Sequence, residues 1–124
     1  MSANHTICWT DIPVANLDRA IKFYAAILGK TIERQSMEGH EFGLLPHYDN
    51  NVSGCLVVME DNKPSENGPL VYLSVDGRID DAIKAVHNNG GKVLKDKHPI
   101  GPYGFRAVIR DTEGNRIALH SQTP

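Results

Sequence analysis

His120 ends the stretch Arg116-Ile117-Ala118-Leu119-His120, where an imidazole could act as a general base, because histidine is the side chain that ordinarily titrates near neutral pH. A solvated, idle histidine on a sheet rim fits the same position. Trp9 offers a flat apolar surface on which an aromatic ligand could stack, or a plug that fills the same space. Asp11 and Arg116 could grip a polar substrate group, although a plain ion pair or two exposed strand ends would give the same residues. Tyr72 adds a phenol in an apolar run. His98, Pro99, Gly101, Pro102, Tyr103 and Gly104 form a segment that could close as a lid on its glycines or stand as a stiff connector on its prolines.

Other chemistries find no support. His5, His40, His47 and His87 have no mutual spacing of a ligand set. Asn89-Gly90-Gly91-Lys92 ends a predicted helix, whereas phosphate-cradling loops begin one. Ser53 and Ser74 lack an arrangement that identifies an activating base. Cys8 and Cys55 do not make a disulfide framework and read as buried free thiols in apolar strands. A formal net charge of -2 with no basic block argues against a nucleic-acid partner. No apolar run reaches membrane-spanning length and the N-terminus lacks a signal-peptide pattern, so a cytoplasmic location and no membrane partner are expected.

The elements that must position these residues come in duplicate. Asp18-Arg19-Ala20-Ile21-Lys22 returns 62 positions later as Asp80-Asp81-Ala82-Ile83-Lys84, and Gly29-Lys30 returns at the same interval as Gly91-Lys92. That interval is half of the 124-residue chain, long enough in total for one shared core but marginal for each half alone. In the first half, Ile7 to Ile12 reads as a strand and Leu17 to Leu28 as a helix capped by Asn16 and stopped by Gly29. Thr31 to Met37, Glu41 to Leu45 and Gly54 to Met59 read as three more strands. The second half repeats the order: strand Leu70 to Val75, helix Ile79 to Asn89, then strands Lys92 to Lys97, Phe105 to Arg110 and Arg116 to His120. Asp111 to Asn115 is a hairpin turn in which Gly114 or Asn115 supplies the positive φ. The expected fold is α+β, a pseudo-symmetric pair of βαβββ modules with curved sheets around a cleft. Module one covers residues 5–60, the linker 61–69 and module two 70–121 of a single domain.

Alternation along the strands divides the side chains between two faces. Cys8, Thr10, Ile12, Cys55, Val57, Met59, Val71, Leu73, Val75, Ile117 and Leu119 form an almost wholly apolar set, assigned to the side under the helices. Ile7, Trp9, Asp11, Leu56, Val58, Leu70, Tyr72, Ser74, Arg116, Ala118 and His120 form a mixed set, assigned to a ligand cleft.

The stretch Ile12-Pro13-Val14-Ala15-Asn16-Leu17-Asp18-Arg19-Ala20-Ile21-Lys22-Phe23-Tyr24 resembles the strand-to-helix opening of the vicinal oxygen chelate superfamily, and Asp111-Thr112-Glu113-Gly114-Asn115-Arg116-Ile117 resembles its closing hairpin. That superfamily holds glyoxalase I, bleomycin-resistance proteins, fosfomycin-resistance enzymes and extradiol dioxygenases, and the likeness is greatest to small bacterial proteins related to lactoylglutathione lyase. In metal-dependent members, four strands supply His, Glu or Gln to one divalent ion. Carrying the family positions across, with the 62-residue repeat, gives Trp9, Leu56, Leu70 and Ala118, none with a good metal-binding atom. The resemblance thus implies a glyoxalase-like small-molecule binding protein or uncharacterised enzyme with no metal and no cofactor, and the cleft face together with the His98 to Gly104 segment offers Trp9, Asp11, Tyr72, His98, Tyr103, Arg116 and His120 to its ligand. A metal-dependent lyase or isomerase acting on a thiol conjugate and a drug-sequestering resistance protein are the alternatives. A homodimer is expected, since open sheet edges and apolar surface need cover.

Overall fold

Local signals fix the first helix. The structure, a computed structural model, describes residues 6–48 and 52–124; His5 and the middle of the predicted Pro46 to Ser53 loop lie outside them. Helix α1 runs Leu17–Leu28, with the Asn16 side chain accepting from the Arg19 N–H and Gly29 at φ 66° ending it in the left-handed region. Strand β1 (Thr10–Pro13) precedes α1, and β2 (Glu33–Met37), β3 (His40–Leu44) and β4 (Gly54–Val57) follow. The second half repeats this as β5 (Val71–Ser74), α2 (Ile79–Asn88), β6 (Lys92–Pro99), a 3-10 turn at Gly101–Tyr103, β7 (Phe105–Arg110) and β8 (Arg116–Ser121). Each half folds into its own four-stranded sheet, in the orders β1-β4-β3-β2 and β5-β8-β7-β6. The pairs β1–β4 and β5–β8 are parallel, as a strand–helix crossover requires, and the others antiparallel.

The helices share one core. Phe23, Tyr24 and Ile27 of α1 and Ile79, Ala82 and Val86 of α2 pack in a single cluster with Ile12, Leu56, Val75, Ile109, Ile117 and Leu119 from both sheets. Close approach between the halves explains Gly91, where a Cβ would lie 2.6 Å from a Phe23 ring carbon. The β7–β8 turn completes the union. Glu113 accepts from the N–H groups of Ala15 and Asn16 at the start of α1 and pairs with Arg19 at 2.7 Å. Asp111 accepts from the Tyr24 hydroxyl of α1 and from the N–H groups of Glu113, Gly114 and Asn115, and the Asn115 amide donates to the Pro13 carbonyl at 2.7 Å. Gly114 is the positive-φ residue of this turn.

Two expectations need correction. The first strand begins at Thr10, so Cys8 is exposed rather than buried under a helix. In β4 the face assignment slips by one residue. Ile12 pairs with Leu56 and Asp11 with Cys55, so Leu56 joins the helix-side core and Cys55 and Val57 belong to the opposite face. The slip arises because Gly54, Cys55 and Leu56 are all buried, so both faces read as apolar. In β5 and β8 the expected division holds, with Val71, Leu73, Ile117 and Leu119 toward the helices.

Candidate functional site

The sheet faces turned away from the helices carry two separate groups of polar side chains. On the first sheet, Asp11 of β1 stands beside Cys55 of β4. Trp9 Nε1–H donates to Asp11 Oδ1 at 3.2 Å and the Cys55 thiol donates to the same oxygen at 3.3 Å. Burial, reinforced by the hydrogen bond and negative charge of Asp11, pushes the Cys55 thiol up to about 11, so it is protonated at neutral pH. Trp9 is 37% exposed and forms an open aromatic shelf.

On the second sheet, strand pairing sets Ser74 of β5 beside His120 of β8, His120 beside Arg106 of β7, and Arg106 beside His98 of β6. His120 Nε2 lies 2.6 Å from the Tyr103 carbonyl; that oxygen only accepts, so Nε2 carries a proton and Nδ1 is left without a partner among the described residues. Arg106 Nε–H donates to His98 Nε2 at 3.0 Å and its Nη1 donates to the Tyr72 hydroxyl at 2.5 Å. His98 Nε2 is therefore an acceptor, and its Nδ1–H donates to the Asp96 carbonyl at 2.8 Å. The Tyr72 and His120 rings stand 6.5 Å apart, tilted by 60°.

Two cavities flank β5. One, of about 480 Å³, opens on the Tyr72, Ser74, Ile100, Tyr103 and His120 side. A larger one, of about 740 Å³, lies between the sheets and is lined by Thr10, Ile12, Leu45, Tyr48, Val71 and Leu73 among others. It is mostly apolar, and Lys30 Nζ sits 5.0 Å from the centre of the Tyr48 ring at its margin. Of the seven residues expected from sequence to touch ligand, Tyr72 lines both cavities and Tyr103 and His120 the smaller, while Trp9, Asp11, His98 and Arg116 line neither. Asp11 and Arg116 form no ion pair, because Arg116 lies in the other sheet opposite Arg110. His98 belongs to β6 rather than to a loop, so the expected lid shrinks to the short turn at Gly101–Tyr103.

Arg106 escaped the sequence reading, and a signal for it existed. The Asp111–Asn115 turn pairs Arg110 with Arg116, and counting away from the turn along both strands sets Arg106 opposite His120. The register also revises the four family metal positions. Val14 and Val75 make equivalent backbone bonds to Val57 and His120, so Ala118 corresponds to Cys55, not Leu56. Trp9, Cys55, Leu70 and Ala118 then offer one donor atom, a thiol held in its protonated form. Leu70 lies just outside β5, on the wall of the larger cavity. Among the described residues, no three of His, Cys, Asp or Glu converge as a metal site would need. On that alignment, these four side chains do not make a donor set that fits a divalent ion.

Comparison with known proteins agrees with the fold. The family model described as Glyoxalase/Bleomycin resistance protein/Dioxygenase superfamily matches residues 3–119. A Mycobacterium bovis protein named "Putative glyoxylase CFP32" is 34% identical over 123 residues, which is 96% of this chain; the chain spans 45% of that relative's length. A glyoxalase/bleomycin resistance protein from Albidiferax ferrireducens superposes with a TM-score of 0.70 at 19% identity, covering 94% of this chain and 98% of that one. A lactoylglutathione lyase from Agrobacterium tumefaciens superposes with a TM-score of 0.62 at 14% identity, covering 97% and 96%.

Proposed function

The chain belongs to the Glyoxalase/Bleomycin resistance protein/Dioxygenase superfamily, and on that footing we propose that it takes up a small organic molecule on the second sheet, at Tyr72, Tyr103 and His120, without a metal ion held by its own side chains. The observation that carries this reading is the open cavity of about 480 Å³ at those residues. Tyr72 and Ile100 give it apolar walls, and the free His120 Nδ1 gives it a group that can accept a proton from a bound ligand. Its catalytic residues, if the ligand is turned over, would start with His120. The reading includes a homodimer, which would cover the aromatic surface left on the sheet faces.

The second reading, a metal-dependent lyase acting on a thiol conjugate, draws on the curated relative named as a glyoxylase. One experiment separates the two. Protein purified without chelator is analysed for metal, then screened by thermal shift against small metabolites and glutathione conjugates, with Tyr72→Ala and His120→Ala beside it. The proposal expects no stoichiometric metal and a ligand whose stabilisation shrinks in both variants. One equivalent of zinc, nickel or iron per chain, removed together with the ligand response by chelator, would replace it with the lyase reading.

A further inference from the structure

The charge on the second sheet is lopsided. Ser74, His120, Arg106 and His98 form one row across its four strands, set by the pairings Ser74–His120, Arg106–His120 and His98–Arg106. The row contains no carboxylate. Arg106 is half-buried, yet both of its hydrogen-bond partners, the Tyr72 hydroxyl and His98 Nε2, are neutral. Arg19, Arg34 and Lys97 find acidic partners in Glu113, Glu41 and Asp80, and the half-buried Arg78 is spent on the Ile27 carbonyl at 2.7 Å in the packing between the halves. A guanidinium partly withdrawn from water ordinarily has a counter-charge. Here two neutral acceptors hold it in a fixed orientation, leaving its Nη2 N–H groups without a partner among the described residues. Ser74 Oγ accepts from the Asp76 N–H, so its own proton is free to donate.

We infer that Arg106 is the anchor for an anionic group, a carboxylate or phosphoryl group on the small molecule, flanked by Ser74 and His120. This rests on the second sheet being the ligand face and adds the chemical class of the ligand. A guanidinium presents a planar pair of donors that suits either anion. The cavity beside the row has room for the remainder of an aromatic or short aliphatic molecule against Tyr72 and Ile100. A cationic drug would meet no carboxylate along this row, so drug capture of that kind is not what this face offers.

The test uses benzoate, phenyl phosphate and benzamide, the last a neutral match for benzoate in shape, titrated into isotopically labelled protein and followed by NMR. Benzoate or phenyl phosphate should move the Arg106 Nε–H and His120 signals, and the tighter of the two identifies the anion. Benzamide should bind at least roughly tenfold more weakly, the scale of a charge-assisted hydrogen bond. Arg106→Gln should erase that preference and Arg106→Lys should restore part of it. If Arg106→Gln does not fold, the benzoate and benzamide comparison on the unaltered protein decides alone. Benzamide binding as tightly as benzoate at Tyr72 and His120 would overturn the anion assignment and leave the ligand face standing. Shifts confined to Tyr48 and Val71 in the larger cavity, or no shift at all, would overturn both.

Discussion

Asp11, itself exposed, illustrates how one contact decides a buried neighbour's chemistry. Its Oδ1 accepts from both Trp9 and Cys55, and a thiol that donates to a carboxylate in a buried place resists giving up its proton. At pH 8, a thiol titrating at about 11 is thiolate in only about one molecule in a thousand, and the thiolate is the nucleophile. Cys8 is exposed and makes no side-chain hydrogen bond among the described residues. Titration of the native protein with an aromatic disulfide at pH 8 should therefore give one fast thiol per chain. The second should react only on unfolding, and Cys8→Ser should remove the fast phase. Two fast thiols would mean that the Asp11–Cys55 contact does not persist in solution. Sequence could count these cysteines but could not rank them. The apolar stretch around Cys8 suggests burial but lies ahead of the first strand, and the Asp11–Cys55 contact depends on a pairing across forty-four positions.

The β7–β8 turn is the element that joins the two modules, and Glu113 is its most exacting residue. Desolvation works against its charge, but Arg19, the Asn16 N–H, the Thr112 hydroxyl and the Ala15 N–H outweigh it and hold the carboxyl at about 2, against 4.5 ordinarily. The folded protein thus binds fewer protons here than the unfolded chain. Glu113 contributes its full stability above pH 4.5, and this is lost as pH falls from 4.5 toward 2. The amount is on the order of 2–3 kcal/mol. Glu113→Gln should lower stability at pH 7 by about 2 kcal/mol and flatten its dependence on pH between 4.5 and 2; denaturant melts at several pH values check both. An unchanged acid slope in the variant would assign that slope to other carboxylates. This hairpin and α1 were legible because their signals are local: Asn16 before the helix, Gly29 after it, and Gly114 inside a polar turn. The docking of the turn on α1 was not, since nothing near Glu113 in sequence announces Ala15 and Asn16. The β4 register was equally hidden, because Gly54-Cys55-Leu56 is apolar on both faces and Gly54 marks a close approach, with a Cβ there falling 2.3 Å from the Thr10 carbonyl oxygen.

At the scale of the whole molecule, the repeat visible in sequence appears as two similar sheets around one helix-side core, while the opposite faces of both sheets stay uncovered. Trp9, Tyr72 and Tyr103 are 37%, 47% and 71% exposed, more aromatic surface than an isolated chain gains from showing to water. The outer edge strands are guarded: β2 carries Glu33, Arg34 and Gln35, and the β6–β7 pairing shifts register twice. Association should therefore proceed through the sheet faces rather than through these edges. We expect a homodimer in sedimentation at micromolar concentration, with Trp9 at or near the contact. Trp9 is the sole tryptophan, so it reports directly. Its emission should move to longer wavelength on dilution, as dissociation returns the indole to water, and the midpoint should follow the dissociation seen by sedimentation. Replacing Trp9 or Tyr72 by Glu should shift the equilibrium toward monomer without unfolding the chain, because neither belongs to the helix-side core. Emission that stays constant while the protein sediments as a dimer would move the interface away from Trp9. A monomer at tens of micromolar would remove the dimer and leave these aromatics as ligand contacts alone.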